Sequence, residues 1–421
     1  MTRKEFLRLA ACASTGLLLK GDRLAGQAGP ASAQTSGSDD RIARISGVVA
    51  EYDSQGIHRT ATDVDNRSAE WLAREVRQAG VDRIDAFLEA FDLNRVDVRS
   101  AYVESDGRRV DGLPFFDGTF TDARGIVAKI GALDAKLPLA LVTLTAANIS
   151  SEGQSIAELR RSPDLRGIVA ITRGAHAGLS PSNAISFASP YGVPVLQVSS
   201  DEAAWLAEQV RLQRDVRFVA EATRTPARAN NVVATIRGRQ PDLSPVVVMT
   251  PRSGWWQCAS ERGGGLACWL EIARAAAATS RRPMLLVASS GHELGHYGLD
   301  AFIDRRPGLI RNAAAWIHLG ANIGAAGGAA RLQASDDEIE GMANRGLMAA
   351  GAVVQQRVPR GTVPGGEARN IHTGGGRYIS LLGSGPRFHS PADRWPDAVD
   401  VPAVARFAAA FVNVVAALDE G

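Results

Sequence analysis

The pattern of apolar and polar positions changes character along the chain. A helical pattern starts at Arg41, and over Ser68 to Ala79 the residues Trp71, Leu72 and Val76 share one helical face, with Gly80 as a stop. From about Tyr102 the apolar runs shorten and are broken by Gly and Asp. Gly125–Ala128, Leu139–Val142, Gly167–Ile171 and Val193–Val198 read as strands, and a helix over Asp201 to Leu212 closes the region. From Asn231 strands and helices alternate. The predicted strands are Val232–Ile236, Val246–Thr250, Met284–Ala288 and Ala314–Leu319, and Gly265–Ala278 is an alanine-rich helix. Buried apolar strands alternating with helices predict a three-layer α/β sheet. Ligands bind such sheets where strands end, so the loops after Thr250, Ala288 and Leu319 should converge. No internal repeat is visible.

Composition adds limits. The chain has 421 residues, enough for two domains, and its 45% hydrophobic and 22% charged content is that of a globular protein. A net charge of +2 gives no electrostatic footprint for nucleic acid or an anionic membrane. Residues 1–34 read as an export segment, with Arg3, Lys4 and Arg8, an apolar stretch from Leu9 to Leu19 and an Ala31-Ser32-Ala33 cleavage site. The run Thr2 to Arg8 resembles a twin-arginine signal with Lys4 in place of the second arginine, so a periplasmic or secreted location is expected. A polar linker is expected over Thr35 to Asp40. No later run reaches the roughly 18 uninterrupted apolar residues of a membrane span. Cys258 and Cys268 are left either as a disulfide or as two buried thiols.

Candidate chemistry lies in the second half. Five of the seven histidines are His292, His296, His318, His372 and His389. Histidines and carboxylates gathered at strand ends supply the lone pairs that a metal or acid–base site needs. His292-Glu293-Leu294-Gly295-His296 matches H-E-x-x-H, but that motif works only on a helix. Gly291, Gly295 and Gly298 argue against a helix here.

Gly56-Ile57-His58-Arg59-Thr60, Asn231 to Ile236 with Gly238, Gly291 to Gly295, and Phe388-His389-Ser390-Pro391-Ala392-Asp393 together resemble the M28-type zinc aminopeptidase family. Residues 101–223, notably Gly167–Gly174 and Gly192–Ser200, resemble the protease-associated domain inserted in some members. The resemblance implies a three-layer, mixed-sheet zinc-peptidase domain of the phosphorylase/hydrolase-like kind, built from residues 41–100 and 224–421, with a β-rich insert at 101–223.

In that family two zinc ions share a bridging Asp. Residue by residue, the His-x-Asp element falls on Pro251-Arg252-Ser253, the bridging Asp on Glu261 and the base Glu on His292. The ligand Glu remains as Glu293, the later Asp falls on Gly320, and the closing His remains as His389. Both private ligands of one ion are thus missing. Glu261, Glu293 and His389 imply one zinc with an open fourth position, and His318 is a further candidate ligand or space-filler. Glutaminyl cyclases resemble this one-zinc arrangement, but their base Glu and their Asp at the Gly320 position are absent. His292 is read as proton shuttle or extra ligand, with His292 and Glu293 as the candidate catalytic pair. Arg252, Arg262 and Trp255 are candidate substrate contacts. A plain alternative stands beside each: a salt-bridged Glu261–Arg262 loop, a hydrogen-bonded core His318, and packing tryptophans.

The expected function is an exported metallohydrolase acting on an amide or related carbonyl bond of a peptide or small molecule. The rivals are an inactive homologue that binds a peptide or small anionic ligand, and a metal-free enzyme using His292 and Glu293.

Overall fold

The apolar run at Val246–Met249 shows how the sequence builds the layers. Val246 and Val248 join a core with Leu266, Trp269, Phe407 and Phe411, whereas Val247 and Met249 join another with Leu299, Phe302, Trp316 and Ile371. Alternate side chains leave a strand on opposite faces, so a strand apolar at every position must be covered on both. The computed structural model describes residues 31–80, 82–145 and 156–421.

Four parallel strands form the centre, in the order β9 (Met284–Ser289), β8 (Val246–Pro251), β10 (Ala315–Leu319) and β13 (Tyr378–Ser384). Antiparallel β7 (Asp215–Ile236) flanks β9, and antiparallel β11 (Ala329–Ala334) flanks β13, with the short β12 (Gln356–Arg357) outside it. Helices Asp63–Gly80, Gly264–Thr279, Asp337–Ala349 and Val401–Glu420 pack on one face. Helices Tyr297–Asp304, Leu309–Asn312 and Ala368–Thr373 lie on the other. This is the expected three-layer α/β architecture.

Residues 101–223 have their own apolar core, around Val103, Leu139, Val169, Leu196, Leu206 and Phe218. Here β1 (Asp85–Ser105), β2 (Arg108–Pro114), β6 (Val195–Ser199), β5 (Gly167–Arg173), β4 (Leu139–Thr145), β3 (Ile126–Gly131) and β7 pair in a closed ring. The β1–β7 pairing runs unbroken in direction from Asp85 opposite Thr235 to Glu104 opposite Arg217. The expected boundaries at 100/101 and 223/224 therefore fall inside two continuous strands, and residues 40–421 form one compact unit.

The export segment read at residues 1–34 lies, but for its last four residues, outside the described residues. Helix Ala31–Ser54 takes in the stretch Thr35 to Asp40, which was expected as a linker; Ser, Gly and Asp lower helix propensity without forbidding a helix. Val401–Glu420 is long and apolar enough to cross a membrane by length and composition. It buries Val404, Phe407, Phe411, Val414 and Leu418 in the main core, as a central helix of a layered fold does. Cys258 and Cys268 are two separate buried thiols.

Candidate functional site

The strand ends do converge. Pro251 ends β8 opposite Ser289 of β9, and His318 of β10 lies opposite Met249 and Ser380. The polypeptide beyond these ends carries Arg252, Glu261, His292 and Glu293, and the loop after β13 adds His389.

His292 to Leu294 is a single 3-10 turn between Gly291 (φ 83°) and Gly295 (φ 77°). A β-carbon on Gly295 would come within 2.7 Å of the Ile185 carbonyl oxygen, so glycine is required on both backbone and packing grounds. The H-E-x-x-H string is thus a tight turn. It stacks the rings of His292 and His296 with centroids 4.9 Å apart.

The turn sends its two chemical side chains to different places. Glu293 borders a cleft of about 460 Å³ beside Arg59 and Thr60. Its Oε1 accepts hydrogen bonds from the Thr60 amide (2.8 Å) and hydroxyl (2.7 Å), and its Oε2 accepts one from the Ser253 hydroxyl (2.6 Å). Ser253 Oγ in turn accepts from the amides of Gly291 and His292. His292 lines a larger cavity of about 690 Å³, with His296, His389, Arg331, Arg369, Asn322 and apolar residues such as Ile303 and Leu382. Its Nδ1 faces Glu367 Oε1 at 3.3 Å, and Ser289 Oγ donates to the same oxygen at 2.6 Å. A carboxylate at Nδ1 selects the Nδ1–H tautomer and leaves the Nε2 lone pair free. Burial, then Arg262 and His296, hold the imidazole well below its ordinary value and so neutral. Chemically, His292 with Glu367 behind it is a neutral hydrogen-bond acceptor lining the cavity.

Glu261 sits in a one-turn π-helix, Ala259–Gly263, whose Ser260 and Glu261 amides donate to the Asp393 carboxylate at 2.8 and 2.9 Å. Glu261 Oε1 is 2.7 Å from Arg262 Nη2 and 3.4 Å from His389 Nε2. Burial alone would push this carboxyl up, but Arg262 and then His389 outweigh it and hold it below the ordinary carboxylate range. Burial raises Asp393 to about 6.

Arg252 and Arg262 are 0% and 1% exposed. Arg252 pairs with Asp65 Oδ1 at 2.8 Å and donates to the Asp65 and Asn230 carbonyls. Arg262 Nε donates to the Ser253 carbonyl at 2.7 Å. Each guanidinium is buried against a carboxylate of the protein, although Arg252 Nε and Arg262 Nη1 make no hydrogen bond. Neither lines the larger cavity, where the sequence suggests a substrate clamp. Trp255 is also buried, edge-on to Phe116, with its indole N–H donated to Asn183. His318 is fully buried, with Nδ1 at 2.8 Å from Ser380 Oγ, and burial lowers it to about 3.

The 101–223 region also reaches the site. The Ala184 amide donates to the Glu293 carbonyl at 2.8 Å, His389 Nδ1 faces the Pro181 carbonyl oxygen, and Asn183 and Ile185 line the larger cavity.

Many solved structures resemble the chain in architecture, and three of them illustrate the likeness. A zinc aminopeptidase from Bacillus subtilis aligns over 90% of this chain and 94% of its own, with a TM-score of 0.71 at 15% identity. A peptidase M28 precursor from Shewanella amazonensis aligns over 92% and 97%, with a TM-score of 0.71 at 14% identity. An aminopeptidase from Aneurinibacillus sp. strain AM-1 aligns over 89% and 93%, with a TM-score of 0.66 at 12% identity. At these identities the likeness shows the fold: the chain has the zinc-aminopeptidase architecture. No family model matches the sequence, and no curated protein does.

The side chains present do not fit the zinc that this fold implies. Glu261 and His389 come together, but the Glu261 oxygen they share is paired with Arg262. Both oxygens of Glu293 are taken by hydroxyl and amide donors, and His318 bonds to Ser380. Among the described residues no group of three or more His, Cys, Asp or Glu side chains is placed to hold a metal ion.

Glu367, Thr60, Arg331 and Arg369 were not picked out from the sequence. Glu367 follows Pro364-Gly365-Gly366 and opens a short helix, a punctuated turn that marks a loop but not its chemistry. Nothing in the spacing ties Thr60 to Glu293 across 233 positions.

Proposed function

We propose that this protein binds a peptide or small anionic molecule in the 690 Å³ cavity of an aminopeptidase-type fold, without a zinc centre of the family's kind. The observation that carries this is the Arg262–Glu261 pair: the guanidinium already neutralises the buried carboxylate, and its charge opposes a second cation at the same place. His292, backed by Glu367, lines the same cavity and would accept a hydrogen bond from the bound molecule.

Thermal unfolding with a panel of amino acids, dipeptides and N-acylated amino acids tests it. At a hundredfold excess over Kd a ligand stabilises by about 2.7 kcal/mol. The wild type should shift with some of the panel, and Ile310→Trp, which narrows the cavity at its apolar wall, should shift less. Near-stoichiometric zinc that is lost on Glu293→Ala or His389→Ala would overturn the reading.

A second reading, a hydrolase of an amide or related bond using one zinc, draws support from the 3.4 Å approach of His389 to Glu261 and from the zinc aminopeptidases that share the fold. It requires a zinc ion to bind Glu261 beside the Arg262 guanidinium, and Glu293 to give up Thr60 and Ser253. Zinc-dependent hydrolysis of aminoacyl amides would establish it. Export through the segment at residues 1–34 is part of the proposal, and N-terminal sequencing of the mature protein checks it.

A further inference from the structure

The wall of the larger cavity carries two arginines, Arg331 of β11 and Arg369 of helix Ala368–Thr373. Neither has an ion pair among the described residues. The Nε of Arg369 is buried without a hydrogen-bond partner. The Arg331 guanidinium lies over the loop that leads into the Arg369 helix, since a β-carbon on Gly365 would sit 3.1 Å from its Nη2. Two cations on one wall, one with a buried donor unused, form a site that lacks its anion.

The other charged groups of the cavity do not supply that anion. Asp300 lines it, but its Oδ1 accepts from Asn370 Nδ2 at 2.5 Å, and burial raises its carboxyl. Asn370 Oδ1 in turn faces His296 Nδ1 at 2.8 Å, so Asp300, Asn370 and His296 satisfy one another. Glu367 is turned to Ser289 and His292. Ile303, Ile310 and Leu382 give the cavity apolar walls.

We propose that Arg331 and Arg369 form a carboxylate subsite, which holds the acid group of a ligand whose apolar body rests against Ile303, Ile310 and Leu382. This rests on the binding reading above and names the chemistry of its ligand. The carboxylate comes either from a peptide C-terminus or from a free organic acid. Bidentate guanidinium–carboxylate contacts give the geometry, and the apolar walls select against small hydrated anions.

Isothermal titration tests it with N-acetyl-leucine, N-acetyl-leucine amide, 4-methylpentanoate and the dipeptide Ala-Leu. The wild type should bind N-acetyl-leucine at least about tenfold more tightly than its amide, since a hydrogen bond to a charged group contributes about that factor. Arg331→Gln and Arg369→Gln should each remove most of that preference. Arg211→Gln, on an exposed helix of the 101–223 region, should leave it unchanged. Tighter binding of Ala-Leu than of 4-methylpentanoate supports the subsite with a peptide source, and the reverse order supports it with a free acid. Equal affinity for acid and amide in the wild type overturns the subsite and leaves cavity binding standing. No binding by any of the four overturns both.

Discussion

Four of the arginines around this site fall into two pairs, and the pairs differ in one respect. Arg252 and Arg262 are buried, each with a carboxylate folded beside it: Asp65 for one and Glu261 for the other. Arg331 and Arg369 line an open cavity, and neither has an ion pair among the described residues. The side chain is the same in all four. A guanidinium that the chain itself neutralises is part of the frame, and one that it leaves unneutralised is available to a ligand.

The sharpest way to break this comparison is to remove the partner of a buried carboxylate. Arg262→Met leaves Glu261 buried with His389 beside it and no guanidinium. Stripping one member from a buried pair costs about 3–5 kcal/mol, because the remaining charge is uncompensated. Urea unfolding should show a loss of that order, and adding Glu261→Leu should recover most of it. A loss below about 1 kcal/mol would mean that Glu261 has another cation, and the zinc reading would regain its footing.

The two pairs also mark how far the sequence could be read. The layers were legible, because runs such as Val246 to Met249 are apolar at every position and admit only a strand covered on both faces. So was the turn at His292, because Gly291 and Gly295 exclude a helix. The long ribbon was not, because Asp85 to Val98 alternates polar and apolar residues irregularly and is held by β7. At the site, Glu261, His292 and His389 were found from motif positions, and the structure does gather them. Arg252 and Arg262 were picked for a clamp because they adjoin those motifs, yet adjacency in sequence does not tell whether a carboxylate such as Asp65 is folded against them. Arg331 and Arg369 sit outside every motif. Only the tertiary arrangement brings β11 and the helix Ala368–Thr373 to one wall.

Burial that pairs Arg252 also silences a histidine near it, which makes the frame visible in a pH titration. His58 stacks on Tyr52 at 3.8 Å, and its Nε2 is 2.8 Å from the Tyr52 carbonyl. Burial lowers it from 6.5 to about 3, with Arg252 adding in the same direction. Between those values the unfolded chain binds a proton that the native protein refuses. Stability from this group is therefore full above pH 6.5 and is lost as pH falls toward 3, by about 1.4 kcal/mol per pH unit. Asp393 acts oppositely. It keeps its proton to about 6 in the native state against 3.8 unfolded, so its contribution is present below 3.8 and lost as pH rises through 6. Buried His318 adds to the His58 side, so the histidines prevail and acid destabilises. His58→Asn should flatten the dependence of unfolding free energy on pH between 6 and 4 by about one histidine's share. An unchanged slope would place His58 in contact with solvent protons and weaken the case for a sealed frame around Arg252.

The smallest expected effect is the most discriminating for the second pair. With no ion pair among the described residues, Arg331 and Arg369 gain nothing by ion pairing, and two like charges lining one cavity repel. Arg331→Gln and Arg369→Gln should each change unfolding free energy by no more than about 0.5 kcal/mol in the absence of ligand, with the sign favouring a slight gain at low salt that fades as salt is added. The buried, unpartnered Nε of Arg369 strengthens that expectation, because glutamine removes a donor that the fold leaves unused. A loss well above 1 kcal/mol for Arg369→Gln would expose a folded-state partner, move that arginine into the frame with Arg252 and Arg262, and reduce the subsite to Arg331 alone.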